Sequence, residues 1–397
     1  ALQATRENVR DAKEFVEACE ADGGTNINEA LLTGLDQIGS ESKTSFVIFL
    51  TDGLPTVGVT DIKNILQNVK DNNGGGARIF VFGVGYDVNA HFLDKLAQDN
   101  HATSDYVSPD EDIEVKVSSF YKKVSHPILT DIRLSFGNVE TYDIYPKELP
   151  DIFKGSQLLL LGKYKGQGSS NITLSGSTGE ARKRLTYQVS FSPNEKNDFI
   201  PRLWATRRIG YLIDELRLHG ENQELIDEVV RLSKKYGIIN QYTSFLIDAD
   251  YHLTASELAN DAARDMVALS KEEVGRGAVS QARTLGEAKK AQAPMMTYFD
   301  AEGKEKEIER VAQVGTKTFF SKNGLWVDSE YEGKLETFKV ERFSQAYFKL
   351  LSRMPEIGKY FALGDKVIFL LKERAIEISD QGKSDFTESE LREMLSG

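Results

Sequence analysis

One cysteine, Cys19, stands alone in 397 residues. That excludes an intrachain disulfide framework and a four-cysteine zinc site. Cys19 falls four residues after Phe15, which reads as a small core position on a helix. Histidine is sparse too: His91, His101, His126, His219 and His252 are scattered without metal-ligand spacing. No apolar run approaches the roughly 20 residues needed to cross a bilayer, so no transmembrane segment is expected. The opening ALQATRENVRDAKEF is polar and amphipathic, unlike a secretory signal. Basic charge is in deficit, with 49 Lys+Arg against 61 Asp+Glu and a net charge of −12. Residues 1–125 hold 20 acidic and 11 basic side chains, a net of −9. An acidic first third argues against nucleic acid as a partner, since phosphate binding needs a basic surface, and is compatible with a divalent cation.

Enzyme signatures are also missing. There is no G-x-S-x-G elbow and no phosphate-binding loop. Gly83-Val84-Gly85 follows an apolar strand, but Val88 stands where a dinucleotide fingerprint needs its third glycine. Those glycines read instead as a bend at a strand end.

What is present is α/β in its first third. Val9, Ala12, Val16 and Cys19 are spaced as one helix face, as are Ile27, Leu31, Leu35 and Ile38. The unbroken apolar strands Phe46–Leu50 and Ile79–Val84 alternate with helices, which specifies a doubly wound parallel sheet over 1–126. Ser45–Thr56, SFVIFLTDGLPT, ends its strand at Asp52, on the edge where open α/β sheets bind ligands. Asp52 reads either as a turn residue before Gly53 or as a metal-binding carboxylate. Gly23-Gly24-Thr25-Asn26 lets the backbone approach an ion closely, and Thr25 offers a hydroxyl. Thr25 also suits a helix N-cap, and the two roles are compatible. Magnesium prefers oxygen ligands and keeps several waters, so this sparse pair is chemically sensible.

From Ile128 the period becomes two: Ile132, Leu134 and Phe136 alternate with polar residues, as do Tyr187, Val189 and Phe191. This predicts an antiparallel, sandwich-like β region over 127–250, one face solvated. Within it a helical hairpin (198–238) begins near Pro201, turns at the Gly220 cap and stops at Gly237. His219 lies where its imidazole can meet the last helix carbonyls. Tyr242–Ile247 reads as a strand. A helical connector (251–293), broken at Gly275 and Gly277, leads to a β-rich C-terminal domain (294–397). Arg182-Lys183-Arg184 with Arg202, Arg207, Arg208 and Arg217 could contact an acidic polysaccharide. The plainer reading is a polar strand edge and the outer face of a helix. Asn171-Ile172-Thr173 fits an N-glycosylation pattern. Asp385-Phe386-Thr387-Glu388-Ser389 reads as a capping box, with Thr387 capping and Glu390 reaching back.

GGTNINEAL followed by FVIFLTDGLPT closely resembles the von Willebrand factor type A domain. The resemblance matches Thr25 and Asp52 to two elements of that family's metal-ion-dependent adhesion site. YKKVSHPILTDIRL and the long run PRLWATRRIGYLIDELRLHGENQELIDEVVRLSKKYGIINQYTSFLI resemble the inter-alpha-trypsin inhibitor heavy chain family. FFSKNGLWVD and AYFKLLSRMPEIGKYFALGDKVIFL are similar to the C-terminal part of its bacterial members. One departure matters: the family's D-x-S-x-S segment, which follows its first strand, has no counterpart before Thr25. The chain therefore reads as a C-terminal fragment with a partial type A domain, its Phe46–Leu50 strand an exposed edge and its magnesium binding weak or absent.

The resemblance implies a non-catalytic binding or adhesion protein, secreted or on the cell surface or in the periplasm. Its partner would be a protein or matrix ligand offering a carboxylate to Mg2+. An intracellular scaffold is the alternative. Protease inhibition is not implied, because it resides in a separate disulfide-rich chain. The glycosaminoglycan linkage of animal heavy chains uses a C-terminal Asp-Pro-His segment, and this chain ends EMLSG.

Overall fold

A computed structural model describes residues 2–20, 22–38, 45–179, 181–192, 197–247, 258, 263, 266–293, 295, 297–300 and 304–395. His252 and most of 248–265, including the start of the expected connector, lie outside these residues.

The first unit is a parallel sheet in the order β1 (Phe46–Thr51), β2 (Arg78–Val84), β3 (Ser104–Val107). Continuous apolar strands need cover on both faces, and both receive it. Ile79 and Val81 of β2 face α2 (Ile27–Asp36), α3 (Ile62–Asn72) and α4 (Ala90–Asp99), packing with Leu31, Leu35, Ile65, Val69 and Leu96. Phe80 and Phe82 point the other way and meet Phe120 of α5 (Ile113–Val124) edge-on, at 4.7 and 5.2 Å between ring centres. Gly83 sits in this sheet because a Cβ there would come within 2.9 Å of the Tyr106 ring.

Among the described residues β1 pairs with β2 alone, so it is an edge strand, and Leu50 is 43% exposed. The helix α1 (Arg6–Glu17) forms as its spacing predicts, capped by Thr5, but buries none of its residues. Cys19 is exposed, which corrects its reading as a core residue. The periodicity was sound; no apolar surface of the described chain lies beneath it.

The second region holds two antiparallel sheets. One runs β6 (Ile152–Phe153), β4 (Pro127–Ser135), β8 (Gly168–Ser177), β9 (Arg182–Phe191); the other pairs β5 (Glu140–Tyr145) with β7 (Leu161–Lys165). Of β9, residues 182–190 are exposed on both faces, apolar Leu185 and Tyr187 included.

The hairpin is α6 (Phe199–His219) and α7 (Gln223–Tyr236). Gly237 closes α7 in the left-handed conformation; Gly220 has a positive φ of 94° but an extended ψ, so it is no left-handed cap. Tyr242–Ile247 is not a strand: Ser244–Ile247 is a 3-10 turn, set by Asn240 accepting from the Tyr242 amide and by the Thr243 hydroxyl donating to Ile238. These side-chain bonds offer the backbone an alternative to a ladder. The helix α8 (Arg276–Lys290) starts at Gly275 and runs through Gly277, so only the first expected break exists. It crosses α6 closely at Gly210, where a Cβ would lie 3.1 Å from that of Ala288.

Because α7, α8 and the β5–β7 sheet pack around it, α6 is covered over most of its length, with Phe199, Ile200, Pro201, Glu215 and His219 left exposed. Arg207 and Arg217 are buried, which corrects their reading as surface charges. Arg207 donates to the carbonyls of Ala291 and Leu159, and Arg208 makes a bidentate pair with Glu228. Arg217 donates through one nitrogen to Asp94 of α4 at 3.1 Å and to Asp214 at 3.4 Å. Asp94 also accepts from Ser104 and Tyr106, and Lys289 reaches Asp214 at 2.7 Å. Burial pulls the Arg217 pKa down, but its acidic neighbours outweigh this and hold it above the usual value.

The last region is a six-stranded mixed sheet, β12 (Val311–Val314), β13 (Lys317–Lys322), β14 (Leu325–Asp328), β16 (Lys366–Leu371), β17 (Arg374–Ser379), β15 (Thr337–Glu341). A small β10–β11 ladder (Thr297–Phe299, Glu305–Glu307) precedes it. The helix α9 (Gln345–Arg353) and the short α10 (Gly358–Phe361) pack on the six-stranded sheet through Leu350, Phe361 and Phe369. The last helix, α11 (Glu388–Leu395), carries the expected capping box: the Thr387 amide donates to Glu390 at 2.9 Å, and the Glu390 amide to Thr387.

Replacing Arg217 by Met leaves the buried Asp94 and Asp214 with Lys289 as their remaining nearby cation. Breaking such a pair costs about 3–5 kcal/mol, whereas Lys keeps the positive charge but on a shorter reach and a different donor geometry. Denaturant unfolding of Arg217→Met and Arg217→Lys should show both destabilised, the first more. A loss below about 1 kcal/mol would contradict this account.

Candidate metal and ligand edge

Thr25 and Asp52 lie on two loops at the C-terminal end of β1. The loops are zipped together by main-chain bonds. Thr56 and Val57 donate their amides to the Thr25 carbonyl at 2.9 and 3.2 Å, and the Thr25 amide donates to Thr56 Oγ1 at 2.8 Å. Glycine permits this approach: a Cβ on Gly24 would fall 2.4 Å from Val57 Cγ2. The N-cap of α2 is Asn26, whose side chain accepts from the Glu29 amide, so Thr25 is released from the capping role its type allows.

The Thr25 hydroxyl points toward the strand end, with its oxygen 3.7 Å from where a Cβ on Gly53 would stand. Thr51 ties the turn by donating to the Gly53 carbonyl at 3.1 Å. Asp52 is exposed and Thr25 half-buried. Among the described residues, neither the Thr25 hydroxyl nor the Asp52 carboxylate has a hydrogen bond or ion pair. Two uncommitted oxygens thus stand on adjoining loops. In kind they suit a hard, oxygen-liganded cation. In number they fall short, and the described residues hold no group of three or more His, Cys, Asp or Glu able to take a metal.

The remaining sequence candidates do not gather here. His101 faces Glu148 at 3.3 Å, His126 faces Ser125, and His219 meets Glu215 rather than helix carbonyls. Gly85, with φ of 76°, bends the chain after β2 as expected. Arg182, Lys183 and Arg184 are exposed on β9, and Asn171 is exposed on β8.

Two features escaped the sequence reading. The first is a clasp on the loop after β2: the Gly275 amide donates to the Tyr86 carbonyl at 3.1 Å, the Ala90 amide to Glu273 at 2.8 Å, and Asn89 to the Glu273 carboxylate. The second is His91, buried in α4 beside Arg217. Burial first, then the Arg217 charge, pushes its pKa down to about 4, against smaller opposing effects of Glu273, Asp94 and Asp214. A hint existed for α6, whose charges at 207, 208, 214 and 217 are set among apolar residues on every side.

Residues 2–122 match the von Willebrand factor type A domain, and the chain carries that domain. Over a longer stretch it is related to the inter-alpha-trypsin inhibitor heavy chains. It is 30% identical to human heavy chain H4 over 267 residues, which cover 62% of this chain and 29% of the relative. With human heavy chain H3 it is 29% identical over the same length, covering 62% and 30%. The chain therefore spans less than a third of these relatives. The solved structure of the ArnB paralog VWA2 from Sulfolobus acidocaldarius covers 70% of this chain at 15% identity, with a TM-score of 0.35, too low to carry an argument. No helix among the described residues is long and apolar enough to cross a membrane.

Two outcomes follow. Gly24→Ala should cost about 1–3 kcal/mol by forcing the zipped loops apart, measured by denaturant unfolding, with Gly34→Ala as an unhindered control. For His91, the unfolded chain takes a proton near pH 6.5 but the folded chain only near 4. Between these values the unfolded state binds more protons, so stability rises with pH and is lost as pH falls through the window, by roughly 3 kcal/mol in all. Unfolding measured at pH 7, 6, 5 and 4 should show this slope, and His91→Gln should flatten it.

Proposed function

We propose that this chain is part of a non-enzymatic binding protein whose recognition edge is the C-terminal end of the parallel sheet. The observation that carries this reading is the pair of uncommitted oxygens, Thr25 Oγ1 and the Asp52 carboxylate, held on two loops that are locked together. Thr25 and Asp52 would be two of the ligands of a Mg2+ ion. Bound there, the ion would offer an open coordination position to a carboxylate from a protein or matrix partner. The match to the type A domain and the relation to heavy chains support the binding role and a location outside the cell or at its surface. An acidic polysaccharide draws less support, because four of the seven arginine and lysine residues once grouped for it, Arg202, Arg207, Arg208 and Arg217, are taken into the helical core.

Two protein oxygens hold magnesium poorly, with a dissociation constant on the order of 1 mM or weaker. Titration calorimetry of this chain with magnesium should therefore give no tight, stoichiometric heat. Mn2+, used as a paramagnetic probe, should broaden the amide signals of Thr25 and Gly53 before all others, and Asp52→Asn should abolish that preference. Tight magnesium binding would overturn the incomplete donor set, and Mn2+ broadening elsewhere first would overturn the site itself.

A further inference from the structure

We propose that the chain binds a small inorganic anion of halide size in a cavity between α6, α8 and the segment that follows α7. The cavity is lined by Arg202, Thr206, Asn240 and Thr284, with Ile209 and Leu285 among its apolar walls. Its chemistry is one-sided: it presents donors and, among the described residues, no carboxylate.

Arg202 is the positive group. Its only protein acceptor among the described residues is the Gly237 carbonyl, at a marginal 3.5 Å. Burial pulls its pKa below the usual value, and no acidic neighbour opposes this. The other arginines of α6 differ. Arg208 has Glu228, Arg217 has Asp94 and Asp214, and Arg207 is spread over carbonyls at 2.7 to 3.4 Å. Thr284 adds a second donor, because its hydroxyl is buried and has no partner among the described residues. Asn240 adds a third. Its Oδ1 already accepts from the Tyr242 amide, and its amide NH2 has no acceptor among the described residues. Thr206 spends its own proton on the Arg202 carbonyl.

A guanidinium carries five donors and loses several kcal/mol of hydration when desolvated without a counter-charge. A water in the cavity could accept a hydrogen bond but would leave the charge unbalanced. An anion does both. The room available, about 20 Å³, fits one water-sized occupant. Chloride or bromide meets that limit; sulfate, phosphate and an amino-acid carboxylate with its side chain do not. Such an ion would bridge the two helices and the turn that closes the hairpin. It would act as a structural ligand, independent of the sheet edge at Asp52.

The test uses the full chain at fixed ionic strength, with sodium chloride or bromide exchanged against sodium gluconate. Chloride and bromide should raise the thermal transition in a saturable way, and chloride should show excess 35Cl line width that bromide displaces. Arg202→Met should cut that excess at least about fivefold, and Thr284→Val should reduce it without unfolding the chain. Replacing the exposed Arg182-Lys183-Arg184 cluster by alanine should leave it unchanged. A thermal transition indifferent to the anion overturns the proposal. So does excess line width that survives Arg202→Met, or that disappears with the β9 cluster instead.

Discussion

Arg217 is wholly buried, and two of its closest contacts come from different units. Asp94 lies on a helix of the parallel sheet, and Asp214 lies one turn away on its own helix. Few arrangements of α4 against α6 satisfy both. Ser104 and Tyr106 hold the same Asp94 from the neighbouring strand, and Lys289 holds Asp214 from α8. A buried ion pair adds little net stability compared with apolar packing, but it is costly to break. That asymmetry makes it a device for fixing orientation. The sheet unit, the hairpin and α8 are thereby docked in one geometry, and the remaining contacts fill in around it. Arg78 does similar work on the opposite side, joining β2 to Asp131 and Asp151 of the antiparallel region.

The recognition edge depends on that docking in one respect. Asp52 and Thr25 are held by their own loops, but the adjacent loop after β2 is held by residues 273–275. A segment about two hundred positions downstream thus shapes the same end of the sheet. Two of its three hydrogen bonds are main-chain and the third is a single Asn89–Glu273 side-chain contact, so the side-chain types at 273–275 give little sign of them.

The anion cavity illustrates the same dependence on packing. Arg202, Asn240 and Thr284 come from three separate elements. None is distinctive in sequence, and each would pass for a surface residue of its helix or turn. Only the packing of α8 and the segment after α7 against α6 leaves a partly buried arginine donor without a counter-charge.

Local sequence determined the elements and the site pair. Apolar runs at 46–50 and 79–84 specified the parallel strands, the spacing of Ile27, Leu31 and Leu35 specified a buried helix face, and Thr387 with Glu390 specified a capping box. Each of these depends on neighbours within a few residues, so periodicity and cap chemistry are enough to read it. Thr25 and Asp52 were legible for the same reason, since a glycine-rich loop and a strand end mark themselves. Tertiary structure decided which faces found a partner. The helix α1 and Cys19 have the spacing of a core face yet lie exposed, whereas the arginines of α6 have the look of a surface yet lie buried. Amphipathic spacing says that a face can be covered, but burial requires a second surface, and that surface comes from residues far away in the chain.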